Sequence, residues 1–276
     1  MSEVRRRFRR DETRAMFIQA GQAILREEGL GTGGEALTLK RVSDRVHAEH
    51  GIRFTNASLI GRIWANQSAF QTDVLATIAS NDSNAEVEAS LDRMAPFLAS
   101  MDTSTEEARR WTIRELCRVM CAVHIDTLRN STDWSLWIGI WALTAVGTAP
   151  ERRRRVDEAL RQSYLDVTDQ MEAIYRSLLD LLGFRPRQGL TIRQFAIAVA
   201  ALTEGCVLRD RVDPVEMNGI VRNTGRNGEE QQWTLFGLAL HGLAEQFFEV
   251  NVRWELEHAA LLEVADADGA ADPEFT

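Results

Sequence analysis

The chain has 276 residues, with 32 Lys+Arg against 41 Asp+Glu for a net charge of −9; 45% of residues are hydrophobic and 26% charged. That balance excludes a disordered chain, and the length allows one or two domains with a sizeable core. Bulk acidity argues against a surface that binds nucleic acid all over, yet the charge is unevenly placed. Residues 1–65 carry 12 basic and 8 acidic side chains, a net of +4, while the remainder carries a net of −13. Such a division points to a basic module that meets an anion, joined to an acidic body. No apolar stretch follows Arg5–Arg7, so no signal peptide is expected. The longest uncharged run, Trp134 to Pro150, is too short and too polar for a bilayer span. Cys117, Cys121 and Cys206 are too few for a disulfide framework, which sets the expected location in the cytoplasm.

In chain order, Asp11 or Thr13 can cap a first helix with Phe17, Ala20, Ile24 and Leu25 inward, ending at Gly29 before the loop Gly31–Gly34. Thr38 caps a second helix with Leu39, Val42 and Val46 on one side, and Gly51 breaks it. A short helix is predicted over Asn56–Trp64, and a fourth from near Asn66 with Phe70, Val74, Leu75 and Ile78 inward. Beyond residue 85, helical spacing predicts longer helices over 86–100, 104–130, 133–146, 151–183, 191–210 and 230–258. Asn and Gly make Arg222–Gly228 a flexible loop. No alternating run is convincing as a strand, so the expected fold is all-α. The expected division is a basic arm and helix-turn-helix over 1–80, a larger helical domain over 81–258, and an acidic tail over 259–276.

A capped helix, a turn and a short polar-tipped helix form the arrangement of a helix-turn-helix, which offers its second helix to the major groove. Thr38, at a helix N-terminus with free N–H groups, suits a phosphate. Lys40, Arg41, Arg53 and Arg62 can neutralise phosphates, while Thr55, Asn56 and Ser58 are compact hydrogen-bonding groups at the tip. Arg5, Arg6, Arg7, Arg9 and Arg10 form a basic arm beside this module.

Three segments carry a family resemblance: TRAMFIQAGQAILREEG (Thr13–Gly29), LTLKRVSDRV (Leu37–Val46) and TNASLIGRIWANQSAFQTDVL (Thr55–Leu75). Together they resemble the tetracycline-repressor (TetR) family of bacterial transcriptional regulators. Thr38 matches the family's Thr cap, Ser58-Leu59 its Ser/Thr-Leu pair, and Asn66 with Phe70 the opening of its fourth helix. Ile60 stands where the family usually has Tyr, and Asn66 or Gln67, both candidate DNA contacts, where it has Lys, so Arg62, Asn66 or the arm would have to supply those phosphate contacts. The stretch from Val46 to Thr55 is also several residues longer than the family's tight turn. The resemblance implies double-stranded DNA with a pseudo-palindromic operator as partner, a homodimer, and control by a small molecule bound in the C-terminal domain. A rival reading, favoured by the lengthened turn and the absent Tyr and Lys, is a helical small-molecule- or protein-binding module with a vestigial DNA head.

Two late segments carry apolar residues at alternating three and four spacing: Ile192, Phe195, Val199, Leu202 and Cys206, then Phe236, Leu240, Leu243 and Phe247, on to Val250 and Trp254. That period belongs to helices packed as in coiled coils and four-helix bundles. With the resemblance, Ile192, Phe195, Val199, Leu202, Phe236, Leu240, Leu243 and Phe247 are the expected dimer interface. Trp134, Trp137 and Trp141 lie at i, i+3 and i+7, and with Trp111, Cys121 and His124 they are the candidate lining of an apolar effector pocket. Cys117, Cys121 and His124 share a helical face but lack the tight pairs of a zinc site, so no metal is expected. No nucleophile elbow, phosphate-binding loop or His-Glu-x-x-His motif occurs, so neither catalysis nor a cofactor is expected.

Overall fold

The structure is a computed structural model that describes residues 8–31, 37–80, 84–145 and 150–256. The expected tail at 259–276, Arg5–Arg7 of the arm and residues 32–34 of the glycine-rich loop lie outside the described residues. The fold is all-α. Among the described residues the helices are α1 (Arg10–Glu28), α2 (Leu39–His50), α3 (Asn56–Leu59), α4 (Gln67–Ala79), α5 (Asn84–Ala99), α6 (Glu106–Asn130), α7 (Thr132–Ala145) and α8 (Pro150–Leu182). After strand β1 (Phe184–Pro186) come α9 (Ile192–Asp210), α10 (Pro214–Asn218), strands β2 (Ile220–Asn223) and β3 (Glu230–Trp233), α11 (Leu235–Phe247) and strand β4 (Phe248–Val250).

The chain forms two compact units, and the first is discontinuous: it takes the described residues up to Ala85 together with Asn130–Val167. In it α1 packs on α2, α4 and α7, and α4 also packs on α7. The core is the set of inward residues read from the spacing, with Phe17, Ile24, Leu25, Val42, Val46, Phe70, Val74 and Ile78 all buried. Thr38 caps α2 as expected, its Oγ1 accepting the Arg41 N–H at 3.2 Å. α1 is capped differently: Arg9 is its N-cap, and its N–H donates to Glu12 Oε2 at 2.8 Å. Arg26 of α1 holds Asp133 of α7 by two hydrogen bonds, 2.6 and 3.3 Å.

The second unit takes Glu86–Arg129 and the described residues from Thr168 onward. Here the structure corrects the expectation of one helix over 230–258. β2 pairs antiparallel with β3 in the register Ile220↔Trp233, and the predicted loop Arg222–Gly228 spans the end of β2 and the hairpin turn. Trp233 is almost wholly buried and its indole N–H donates to Thr224 Oγ1 at 2.8 Å, which holds this segment as a strand. Thr234 then caps α11, accepting the Gly237 N–H at 2.9 Å. α11 stops at Phe247 because both Phe247 and Phe248 pack on Phe195, with ring centroids 5.4 and 4.7 Å away. Successive residues on a helix point about 100° apart, so the backbone extends at Phe248 to bring both rings inward. β4 pairs with β1 in the register Phe184↔Val250.

Gly183, which precedes β1, has φ +67°, and a Cβ there would lie 2.5 Å from the Trp254 ring. Replacing it with alanine forces both a left-handed backbone and a displaced indole. Gly183→Ala should cost about 2 kcal/mol, read as an earlier urea midpoint with unchanged slope. An unchanged midpoint would show that Trp254 is not seated there.

Candidate nucleic-acid interface

The basic head is organised around a buried acid that the spacing did not single out. Asp73 is 2% exposed on α4. Arg14 of α1 grips it through Nε and Nη2, both at 2.7 Å, Trp64 Nε1 donates to it at 3.0 Å, and Arg155 of α8 pairs with its other side. Burial alone would raise the Asp73 carboxyl; the hydrogen bonds from Arg14 and Trp64 and the Arg155 charge outweigh it and hold the pKa below the ordinary 3.8. A lone carboxylate in the apolar run FQTDVLATIA was the available signal, because a buried acid requires partners.

Trp64 also packs on Phe17 and Phe70, with centroids 6.0 and 4.9 Å away. That anchoring shapes the third helix. Expected over Asn56–Trp64, it ends after one turn at Leu59. Gly61 then adopts φ +81°, its N–H donating to the Trp64 carbonyl at 2.7 Å, a bend that brings the indole inward. The longer connection before α3 is likewise anchored. Ser43 Oγ donates to the Phe54 carbonyl at 3.0 Å, and the Phe54 ring meets Phe17 edge-on at 5.3 Å.

Lys40, Arg53 and Arg62 are exposed cations around α2, the connection and the turn after α3. Arg53 Nε donates to His47 Nε2 at 3.2 Å, and Arg41 is held in an ion pair with Glu28. Thr55 and Ser58 are engaged with each other. The Ser58 N–H donates to Thr55 Oγ1 at 3.3 Å, the Thr55 N–H to Ser58 Oγ at 3.2 Å, and Ser58 Oγ–H to the Thr55 carbonyl at 2.7 Å. Asn56 opens α3, and its side chain lies outside the described residues. Asn66 caps α4, accepting the Ala69 N–H at 2.8 Å, and the exposed Gln67 follows as the first helical residue.

The candidate effector residues fall in both units. Trp134, Trp137 and Trp141 lie on α7 in the first, where Trp134 and Trp137 are buried and Trp141 is 44% exposed. Trp137 meets Tyr164 at 4.9 Å, and its buried indole N–H has no partner among the described residues. Trp111, Cys121 and His124 belong to the second unit. Arg226 stacks over Trp111 at 4.4 Å, and the Trp111 indole N–H is also buried without a partner there. Burial pushes the Cys117 thiol up to about 12 and raises Cys121 well above its ordinary value. Burial also lowers His124 to about 4, and its Nδ1 lies 3.0 Å from Ser90 Oγ. At neutral pH these groups are an uncharged interior.

The expected dimer seam is largely internal to one chain. Ile192, Phe195, Val199 and Phe236 are buried where α9 packs on α11, and Leu202, Leu240, Leu243 and Phe247 are half-buried. The opposite stripes are open to solvent: Ile197, Ala201, Gly205 and Leu208 on α9, and Leu235, Ala239 and Gly242 on α11. Their small residues differ from Gly237, where a Cβ would lie 3.0 Å from the Cys117 carbonyl; nothing stands within 4 Å at Gly205 or Gly242.

No family model matches the chain, and no curated protein sequence matches it. Solved structures do. Its neighbours in shape are transcriptional regulators. A TetR-family regulator from Cytophaga hutchinsonii is 16% identical, the match covering 88% of this chain and 98% of that one, with a TM-score of 0.45. SmeT, the repressor of the Stenotrophomonas maltophilia multidrug efflux pump SmeDEF, is 18% identical over 87% of this chain and 92% of its own, with a TM-score of 0.42. A SmeT–triclosan complex gives 18% identity, 86% and 92% coverage and a TM-score of 0.40. Among the described residues no helix is long and apolar enough to cross a membrane.

Proposed function

We propose that the chain is a TetR-like transcriptional regulator, a homodimeric repressor whose head binds a pseudo-palindromic DNA operator and whose helical body responds to a small molecule. The observation that carries this reading is the head itself. A Thr38-capped α2, an anchored connection and α3 present exposed Lys40, Arg53 and Arg62 within a segment of net positive charge. These cations and Gln67 hold phosphates, the α3 tip carrying Asn56 reads bases, and Thr55 and Ser58 set the shape of that tip by capping it. Arg41 joins the phosphate contacts when it exchanges Glu28 for DNA.

The test is selection of binding sites from random duplex DNA, with affinity measured at two salt concentrations. An enriched pseudo-palindrome with steep salt dependence supports the reading, since each neutralised phosphate releases counterions. Arg62→Ala should weaken binding to all sequences alike and reduce the salt slope by about one per half-site. An unchanged slope would remove Arg62 from the interface.

The dimer is formed through the outward stripes of α9 and α11 rather than the buried seam, because a buried seam has no free surface to offer. Trp137 is the anchor of the effector reading: an indole N–H buried without a partner suits a ligand acceptor. The rival reading, a ligand- or protein-binding module with a vestigial head, draws on the single turn of α3. It predicts that no DNA sequence is enriched.

A further inference from the structure

Four consecutive arginines, Arg152–Arg155, stand near the start of α8. Arg154 and Arg155 line an open cleft of about 860 Å³ in the head's own unit, between α1, α4 and α8. Arg14 lines it too, so three guanidinium groups meet at one concavity. Among the described residues the lone carboxylate in the lining is Glu158, which Arg161 holds at 3.1 and 3.3 Å. Among the described residues no hydrogen bond or ion pair engages the exposed Arg154. Arg14 and Arg155 are committed to Asp73 through part of their donors only, and a guanidinium has five N–H groups.

The uncharged lining narrows the ligand further. Thr77 Oγ1 donates its proton to the Asp73 carbonyl at 2.7 Å and Ser80 Oγ donates to the Thr77 carbonyl at 3.2 Å, which leaves both hydroxyl oxygens as acceptors. Ala76 and Ala159 supply a small apolar floor. A site with clustered cationic donors beside hydroxyl acceptors suits a molecule that carries an anionic group and free hydroxyls.

We propose that this cleft binds a small hydroxylated anion, a phosphate ester or carboxylate of a polyol, with Arg154 as its main anchor and Arg14 and Arg155 completing the clamp. Thr77 and Ser80 accept from the ligand's hydroxyls. Because two of the clamp residues also hold Asp73, occupancy changes the stability of the head, whether or not the head binds DNA.

Calorimetric titration of the full chain with glucose 6-phosphate, gluconate, inorganic phosphate and glucose, at matched ionic strength, tests the assignment. Saturable binding is expected for glucose 6-phosphate or gluconate, weaker binding for inorganic phosphate and none for glucose. Which of the first two binds separates the phosphate ester from the carboxylate. Arg154→Ala should weaken the binding at least tenfold, while Arg93→Ala, an exposed arginine of the other unit, leaves it unchanged. Heat signals that follow ionic strength alone, or equal binding by Arg154→Ala and the natural chain, overturn the proposal. So does an Arg154→Ala variant that loses affinity for duplex DNA when no small anion binds, since the arginines would then serve nucleic-acid phosphates.

Discussion

Asp73→Ala should destabilise the chain by about 3–4 kcal/mol, a larger loss than an exposed salt bridge gives. The carboxylate is almost fully buried and accepts from Arg14, Trp64 and Arg155 at once. Removing it leaves the Trp64 indole N–H buried without an acceptor and two arginines facing each other. Urea unfolding followed by tryptophan fluorescence and far-ultraviolet circular dichroism would read the loss. The pH profile gives a second signature. The Asp73 pKa lies below its ordinary 3.8 in the folded chain, so its contribution is present above about pH 4 and is lost as pH falls through the folded value. Asp73→Ala should therefore lack that part of the natural chain's acid destabilisation. Equal stability at pH 7 with an identical acid limb would show that the three donors do not depend on this carboxylate.

The double substitution Ile197→Glu, Ala239→Glu should convert a dimer into a folded monomer. Ile197 is 53% exposed and Ala239 also faces solvent, so neither glutamate enters the core of one chain. At a two-fold interface each substitution acts twice, placing four carboxylates in an apolar contact. Light scattering should fall from about twice the 31.1 kDa chain mass to that mass, with helical content retained. Affinity for the full palindrome should fall about 10²–10⁴-fold, because two half-sites lose their linkage. Phe195→Glu is the contrasting case: it should unfold the second unit, since Phe195 packs against Tyr175, Phe247 and Phe248. A double variant that still runs as a dimer would place the interface elsewhere.

Local signals made much of the fold legible. Thr38 and Asn66 cap where side-chain oxygens can meet free helix N–H groups, and Gly29 and Gly51 end α1 and α2 as expected. Failures arose where distant residues decide. Nothing near residue 248 in the sequence signals that Phe248 must leave the helix; its partner Phe195 lies far earlier in the chain. The seam spacing correctly marked inward faces, but spacing does not distinguish a neighbour within the chain from one in a second copy. Small residues offered a partial clue, with Gly237 at a close internal crossing and Gly205 and Gly242 open. In the head, residue type picked out exposed Lys40, Arg53 and Arg62. It could not foresee that Thr55 and Ser58 would satisfy each other or that Trp64 would shorten α3.

The discontinuity of the first unit has a consequence for biosynthesis and for grafting. Arg155 follows its partner Asp73 by 82 residues, and Asp133 follows Arg26 by 107. At synthesis rates of about 5–20 residues per second, Asp73 waits roughly 4–16 s after its own synthesis for Arg155 to be made. During that interval Asp73 has only Arg14 and Trp64 to hold it. A transplantable cassette therefore includes residues 130–167 as well as the first 85, and a graft cut after α4 would carry a head with its central carboxylate incompletely held.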